Sequence, residues 1–99
     1  MLAKPNDAAR NLLIHKLVTY LRANPLASDS CEGIERWWLG MQAGSGGSVQ
    51  QAIDWLVSVG AMRRVQAADG RVRYRRGDGA EASDAALAAL QAIHAPPHR

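Results

Sequence analysis

The chain is poor in the residues that cross-link small proteins or bind metals. Its 99 residues include one cysteine, Cys31, three histidines and no phenylalanine. A lone cysteine excludes an internal disulfide and a cysteine-based metal cluster, and His15, His94 and His98 lack metal-ligand spacing. No apolar run approaches the ~20 residues of a membrane-spanning helix, and the N-terminus lacks the pattern of a secretory signal. We therefore expect a soluble cytoplasmic protein with no membrane partner, no cofactor and no metal site.

Combinations of acid, base and nucleophile are missing as well. Glu32 and Glu35 lie near a predicted helix start, where acidic residues are favoured without any catalytic role. No base is placed beside Cys31, which we interpret as a small buried hydrophobe. The glycine run at residues 44–47 lacks the lysine of a phosphate loop and is interpreted as a linker. We expect no catalytic residues, and hence no enzyme.

Positive charge is concentrated in one short segment. Residues 63–76 hold six arginines and one aspartate, a local charge of +5, whereas the remainder of the chain carries −2. Ten of the twelve basic residues are arginine, the better bidentate ligand for phosphate. A basic patch on a nearly neutral body favours a polyanionic partner, nucleic acid first, and a solvated hairpin tip is the alternative.

Hydrophobic periodicity predicts four helices. Their approximate ranges are 7–23, 30–39, 48–59 and 83–94. Asp29, Ser48 and Ser83 are the predicted N-caps of the last three helices. Gly60 should end the third helix, because glycine adopts positive φ freely. A glycine-rich connector at residues 40–47 precedes that helix.

A β-hairpin is predicted immediately after the third helix. Asp69-Gly70 lies between two alternating runs, a pattern typical of a two-residue type I′ turn. With such a turn, Val65 pairs with Tyr74 and Ala67 with Val72 on an apolar face. The opposite face then carries Arg64, Gln66, Arg71, Arg73 and Arg75.

The order helix, helix, helix, hairpin over residues 7–76 resembles the winged-helix superfamily, a variant of the helix-turn-helix. Residues 52–64, AIDWLVSVGAMRR, are similar to its third helix, which ends in glycine and leads directly into the wing. Residues 70–75, GRVRYR, are similar to the returning wing strand with its aromatic residue. The resemblance implies a mainly α fold with a small β-hairpin: a three-helix core plus wing, here with an extra C-terminal helix. The corresponding division is a flexible N-terminus at 1–6, a winged-helix domain at 7–77, an alanine-rich helix at 78–95 and a tail at 96–99.

The resemblance also implies a function. In this superfamily the third helix enters the major groove and the wing touches the DNA backbone or the minor groove. The chain would then be a small DNA-binding protein, an accessory transcriptional regulator with duplex DNA as its partner. The implied phosphate or minor-groove contacts are Arg64, Arg71, Arg73, Arg75 and Arg76. The major-groove candidates are Gln50, Gln51 and Ser58, with solvated helix residues as the alternative interpretation.

A protein-interaction winged helix without DNA binding is the alternative function. The exposed face of the third helix has no basic residue and carries Asp54 at its middle, and the connector is twice the usual length of a helix-turn-helix turn. Candidate interface residues are Leu12, Trp37, Trp55, Leu87 and Leu90. For the tryptophans, packing in or beside the core is favoured over stacking on bases. Homodimerisation through the C-terminal helix is a separate hypothesis.

Overall fold

The computed structural model describes residues 5–41 and 46–96, which form four α-helices and a three-stranded antiparallel sheet. The helices are α1 (Pro5–Ala23), α2 (Cys31–Gly33), α3 (Gly46–Ser58) and α4 (Asp84–Ile93). The strands are β1 (Ser28–Asp29), β2 (Met62–Gln66) and β3 (Val72–Arg76). A π-helical segment, Ile34–Trp38, continues α2, and a 3₁₀ turn, Ala80–Ala82, precedes α4. The predicted class, mainly helical with a small β-hairpin, is therefore confirmed. Within the described ranges, no helix combines the length and the apolar character that crossing a bilayer requires.

The core lies between α1, α3 and α4, with β2 and β3 closing one side. One apolar face of α1 and one of α3 are buried in it, because side chains at i, i+3, i+4 and i+7 share one helix face. The fully buried large side chains are Ile14, Leu17, Val18, Leu21, Ile34, Val49, Ile53, Leu56 and Leu87. Tyr20, which is half-buried, and Val59, which is exposed, lie at the edge of the core. Tyr20 stacks on Trp38 with ring centroids 4.7 Å apart.

The helix starts differ from the predicted ones by a few residues. The N-cap of α2 is Ser30, whose Oγ accepts from the Gly33 N–H at 3.1 Å, so the prediction of Asp29 was wrong. Asp29 belongs to β1 instead and pairs with Tyr74. Helix α3 begins at Gly46, which places Ser48 inside the helix and not at its cap. Ser83 caps α4 as predicted, accepting from the Ala86 N–H at 3.1 Å.

Parts of three predictions lie outside the described residues. They concern residues 1–4 of the N-terminus, residues 42–45 of the connector and residues 97–99 of the tail, which include His98. Helix α1 already begins at Pro5, a residue suited to a first helical position because its missing N–H has no intrahelical partner there.

The hairpin forms, but its register differs from the predicted one by one residue. Arg64 lies opposite Tyr74, and Gln66 lies opposite Val72. The loop holds three residues, 68–70, because the Ala67 N–H donates to the Arg71 carbonyl at 2.8 Å and closes it. Within the loop the Gly70 N–H donates to the Ala67 carbonyl at 2.9 Å, and Gly70 has φ +86°. A turn followed by a left-handed glycine is the usual geometry of a three-residue hairpin loop. The predicted two-residue turn, with its Val65–Tyr74 pairing, was therefore wrong.

Helix α4 packs against α1. Leu87 supplies the fully buried contact, and polar bonds line the seam between the helices. Gln91 donates through Nε2 to the Thr19 hydroxyl at 2.7 Å, and its backbone carbonyl lies 2.9 Å from His15 Nδ1. Arg22 forms two bonds to the Asp84 carboxylate at 3.0 and 3.1 Å. The alanine-rich helix is thus an integral part of the fold.

Candidate nucleic-acid interface

The sheet concentrates the positive charge of the chain. Residues 62–78 carry six arginines and two aspartates, a net charge of +4. Successive residues of a strand point to opposite faces, and directly paired residues share a face. Arg63, Arg73 and Arg75 therefore lie on the outer face, away from the buried Tyr74. Arg64 and Arg76 share the face of Tyr74, so the prediction that Arg64 and Gln66 accompany the other arginines was wrong.

Asp78 joins two of the outer arginines. Its Oδ1 and Oδ2 accept from Arg75 Nη1 and Nη2, both at 2.9 Å, and Oδ2 also accepts from Arg63 Nη1 at 2.5 Å. Arg63 and Arg75 are directly opposite each other on β2 and β3, so one carboxylate bridges two strands. Hydrogen bonds from Arg75 and then Arg63 lower the pKa of the Asp78 carboxyl to about 2. The same bonds raise the pKa of Arg75.

The other two exposed arginines near this face make looser contacts. Arg73 donates through Nη2 to the Ser28 carbonyl at 2.7 Å, which ties β3 to the edge strand β1. Arg71 lies beside the turn, with Nε 3.6 Å from the Asp69 carboxylate and a side chain that is largely exposed. Since exposed ion pairs contribute little, the Arg71 contact leaves that guanidinium available to another anion.

The two arginines on the Tyr74 face differ from one another. Arg76 is half-buried and donates through Nε to the Ala82 carbonyl at 2.7 Å, so it holds the 3₁₀ turn against the sheet. That bond gives Arg76 a structural role, and its assignment as a DNA contact stays a prediction. Arg64 is exposed and has no hydrogen bond to any described residue, so its charge remains accessible.

The exposed side of α3 provides few groups that could read bases. Gln50 is half-buried, and its Nε2 lies 2.8 Å from Asp54 Oδ1 and 3.2 Å from the Tyr74 hydroxyl. Ser58 is exposed, but its hydroxyl donates to the Trp55 carbonyl at 2.6 Å. Of the three major-groove candidates, only Gln51 is exposed with no side-chain hydrogen bond to the described residues.

The candidate protein-interface residues differ in exposure. Trp37 is 71% exposed on the π-helical segment, and Leu12 is partly exposed on α1. Trp55 is half-buried, with its ring 5.1 Å from that of His94 in an edge-on arrangement. Leu87 is fully buried in the core and Leu90 packs against it, so the prediction of Leu87 as a contact for a partner was wrong.

Cys31 is a half-buried free thiol at the start of α2. Within the described part of the chain, no group of three metal-ligating side chains comes together. Burial first, then the negative charge of Glu35, raises the pKa of the Cys31 thiol. A raised pKa keeps the sulfur protonated and weakly nucleophilic, which agrees with a packing role.

Sequence reasoning missed two contributors to this surface. Arg63 was not assigned a role, because the predicted register placed it on the face of Val65 and Tyr74 and not on the face with Arg73 and Arg75. Asp78, which lies between Gly77 and Gly79, was not assigned a role either. Its signal was available, since it is the acidic residue nearest in sequence after a run of arginines.

The fold and the surface define a mainly helical domain that displays an arginine-bearing antiparallel sheet. Comparison of the chain with protein-family models, with curated proteins and with solved structures gave no match.

Proposed function

We propose that this chain is a small DNA-binding protein of the winged-helix type, an accessory transcriptional regulator whose hairpin contacts the phosphate backbone. The observation that carries the proposal is the net charge of +4 on residues 62–78, displayed on a sheet that follows the third helix directly. Such a concentration of guanidinium groups attracts a polyanion, and the planar guanidinium suits phosphate oxygens.

The contacts of α3 indicate how such binding would work. Its exposed side presents Gln51, Asp54 and Ser58 and no basic residue, and Gln50 already bonds to Asp54 and Tyr74. Contacts to phosphate carry no sequence information, whereas base edges in the major groove do. We therefore propose binding led by the hairpin, at the backbone or in the minor groove, with weak sequence selectivity.

The salt dependence of DNA affinity tests this proposal. Four to six phosphate contacts give a slope of log affinity against log salt of roughly −4 to −5. Replacing Arg71 and Arg73 together by Ala should weaken binding to unrelated duplexes about equally and reduce the slope by about 2. Arg36→Ala is the control, because Arg36 is exposed on the π-helical segment and not on the hairpin. Absence of binding at low salt, or an equal loss in R36A, contradicts the proposal.

A protein-interaction module is the second candidate. Its supporting observation is Trp37, an aromatic side chain 71% exposed beside the half-buried Trp38, since exposed tryptophans often anchor protein interfaces. Recovery of one stoichiometric partner by the wild type, its loss in Trp37→Ala, and no retention on DNA would select this candidate.

A further inference from the structure

We infer that Arg63 and Arg75 form a binding subsite for one phosphodiester group of DNA, and that the side chain of Asp78 competes with phosphate for it. This inference rests on the proposed function and adds to it the position of one phosphate and the side chain that competes with that phosphate. The Asp78 carboxylate stands where two oxygens of a phosphate would be held.

The geometry of the three side chains matches recognition of an oxyanion. Arg75 presents two parallel N–H groups at 2.9 Å each, and Arg63 adds a third donor from the opposite strand. A bidentate arginine supplemented by a second guanidinium is a typical way to bind phosphate or carboxylate. The two arginines come from directly paired positions of β2 and β3, so the sheet itself fixes their spacing.

The charges favour an anion at this position. Like charges directly opposite each other on paired strands are destabilising, so the Arg63–Arg75 pair needs a negative group between them. A single carboxylate leaves this cluster with a net charge of +1. Arg73, on the same face two residues before Arg75, adds a further positive charge with no carboxylate partner among the described residues. A DNA backbone with successive phosphates could satisfy both positions.

The three side chains are exposed enough for phosphate to replace the Asp78 carboxylate. The side chains of Arg63 and Asp78 are 58% and 57% exposed, and that of Arg75 is 37% exposed. Solvated ion pairs of this kind are weak, so phosphate can displace the carboxylate without opening the core. Rotation of the Asp78 side chain is sufficient, while its neighbour Gly77 stays bonded through its N–H to the Ala61 carbonyl at 3.0 Å.

The alternative is that Asp78 only fastens β2 to β3. The two ideas predict opposite effects of Asp78→Asn on affinity. If Asp78 competes with phosphate, its removal tightens DNA binding. If Asp78 only links the two strands, its removal destabilises the hairpin and weakens DNA binding.

The test compares D78N with D69N on a short duplex. Both variants remove one negative charge from residues 62–78, but Asp69 lies 3.6 Å from a single arginine and bridges no strands. In wild type the backbone N–H of Arg71 donates to the Asp69 carboxylate at 3.0 Å. In D69N the amide oxygen of the new side chain can still accept this hydrogen bond, so the turn keeps it. We expect D78N to bind roughly 3- to 10-fold more tightly than D69N at about 0.05 M salt. Its salt slope should be steeper by about 0.9, because the subsite adds one phosphate contact and each contact contributes about −0.9. Adding R63A and R75A to D78N should abolish the gain.

A second probe separates this inference from the proposed function. Tripolyphosphate is titrated into the wild type, D78N and D69N, and the arginine side-chain Nε–Hε signals are followed by NMR. If no variant binds duplex DNA but D78N binds tripolyphosphate more tightly through Arg63 and Arg75, the proposed function fails and the anion subsite stands. If D78N is no tighter than D69N with either probe, or is weaker, the subsite is overturned.

Discussion

Replacing Leu87 by Ala tests whether α4 is part of the fold or a surface for a second copy of the chain. Leu87 is completely buried against α1, whereas Ile93 on the same helix is 73% exposed. Ile93→Ala is therefore the matched control: each change trims a branched aliphatic side chain of α4, but only one of them empties core volume.

The expected loss for L87A follows from its burial. Each buried methylene-sized group contributes about 0.8 kcal/mol, so the transfer term alone is about 2 kcal/mol. The cavity left behind raises the total to about 2–5 kcal/mol in the free energy of unfolding. For a chain of this size, that corresponds to a fall of roughly 10 °C or more in Tm. I93A should change the free energy of unfolding by no more than about 0.5 kcal/mol.

Urea unfolding at two protein concentrations, tenfold apart, measures both variants. If I93A is as destabilising as L87A, or if its loss shrinks on dilution, the outer face of α4 is buried between copies and the assignment of Ile93 to the solvent-exposed side is refuted. If L87A is neutral, the packing of α4 on α1 is itself wrong.

Two further predictions concern the hairpin and its surroundings. Gly60→Ala should destabilise the fold more than Gly70→Ala in thermal melts. Both glycines have φ near +87°, a backbone conformation that costs a residue with a Cβ about 1–2 kcal/mol. Only at Gly60 would the new Cβ also lie too close to another atom, 2.9 Å from Glu81 Cβ. Lowering the pH from neutrality should reduce the free energy of unfolding between about pH 4 and 2. The reason is that the pKa of Asp78 in the folded protein, about 2, lies below its ordinary value of 3.8, and the pKa of Asp84 is also lowered. Their contribution is present above the unfolded pKa and lost as the pH falls through the folded one, so D78N should show a shallower acid-unfolding profile than the wild type.

The helices of this chain could be predicted because their signals are local. The stripes that contain Leu17 and Leu56 repeat with helical period, and Gly60 ends α3 with the positive φ that its position indicated. Caps were harder, since Asp29 and Ser30 are adjacent and both suit an N-cap. The pairing of Asp29 with Tyr74, 45 residues away, decides between them, and no local pattern contains that information.

The candidate site was harder still, because one residue of register decides which arginines share a face. Asp-Gly fits a two-residue loop and also the end of a three-residue loop, and the alternating runs on either side are compatible with both. The observed loop moves Arg64 to the side of Tyr74 and brings Arg63 to the outer face beside Arg75. A count of arginines predicts a charged hairpin in either register, but it cannot identify the pairs.

The same shift determines what the positive charge can do. With Arg63 opposite Arg75, two like charges are held at adjacent positions, and Asp78 becomes the group that relieves them. In the predicted register Arg64, and not Arg63, would lie opposite Arg75, so the shift changes which arginine shares the Asp78 carboxylate with Arg75. If the proposed DNA binding holds, we expect the affinity of the hairpin for phosphate to depend on the competition between one carboxylate and phosphate, and not on the number of arginines alone. Asp78→Asn changes that competition with almost no change in side-chain size, which makes it the substitution that best separates charge count from charge placement.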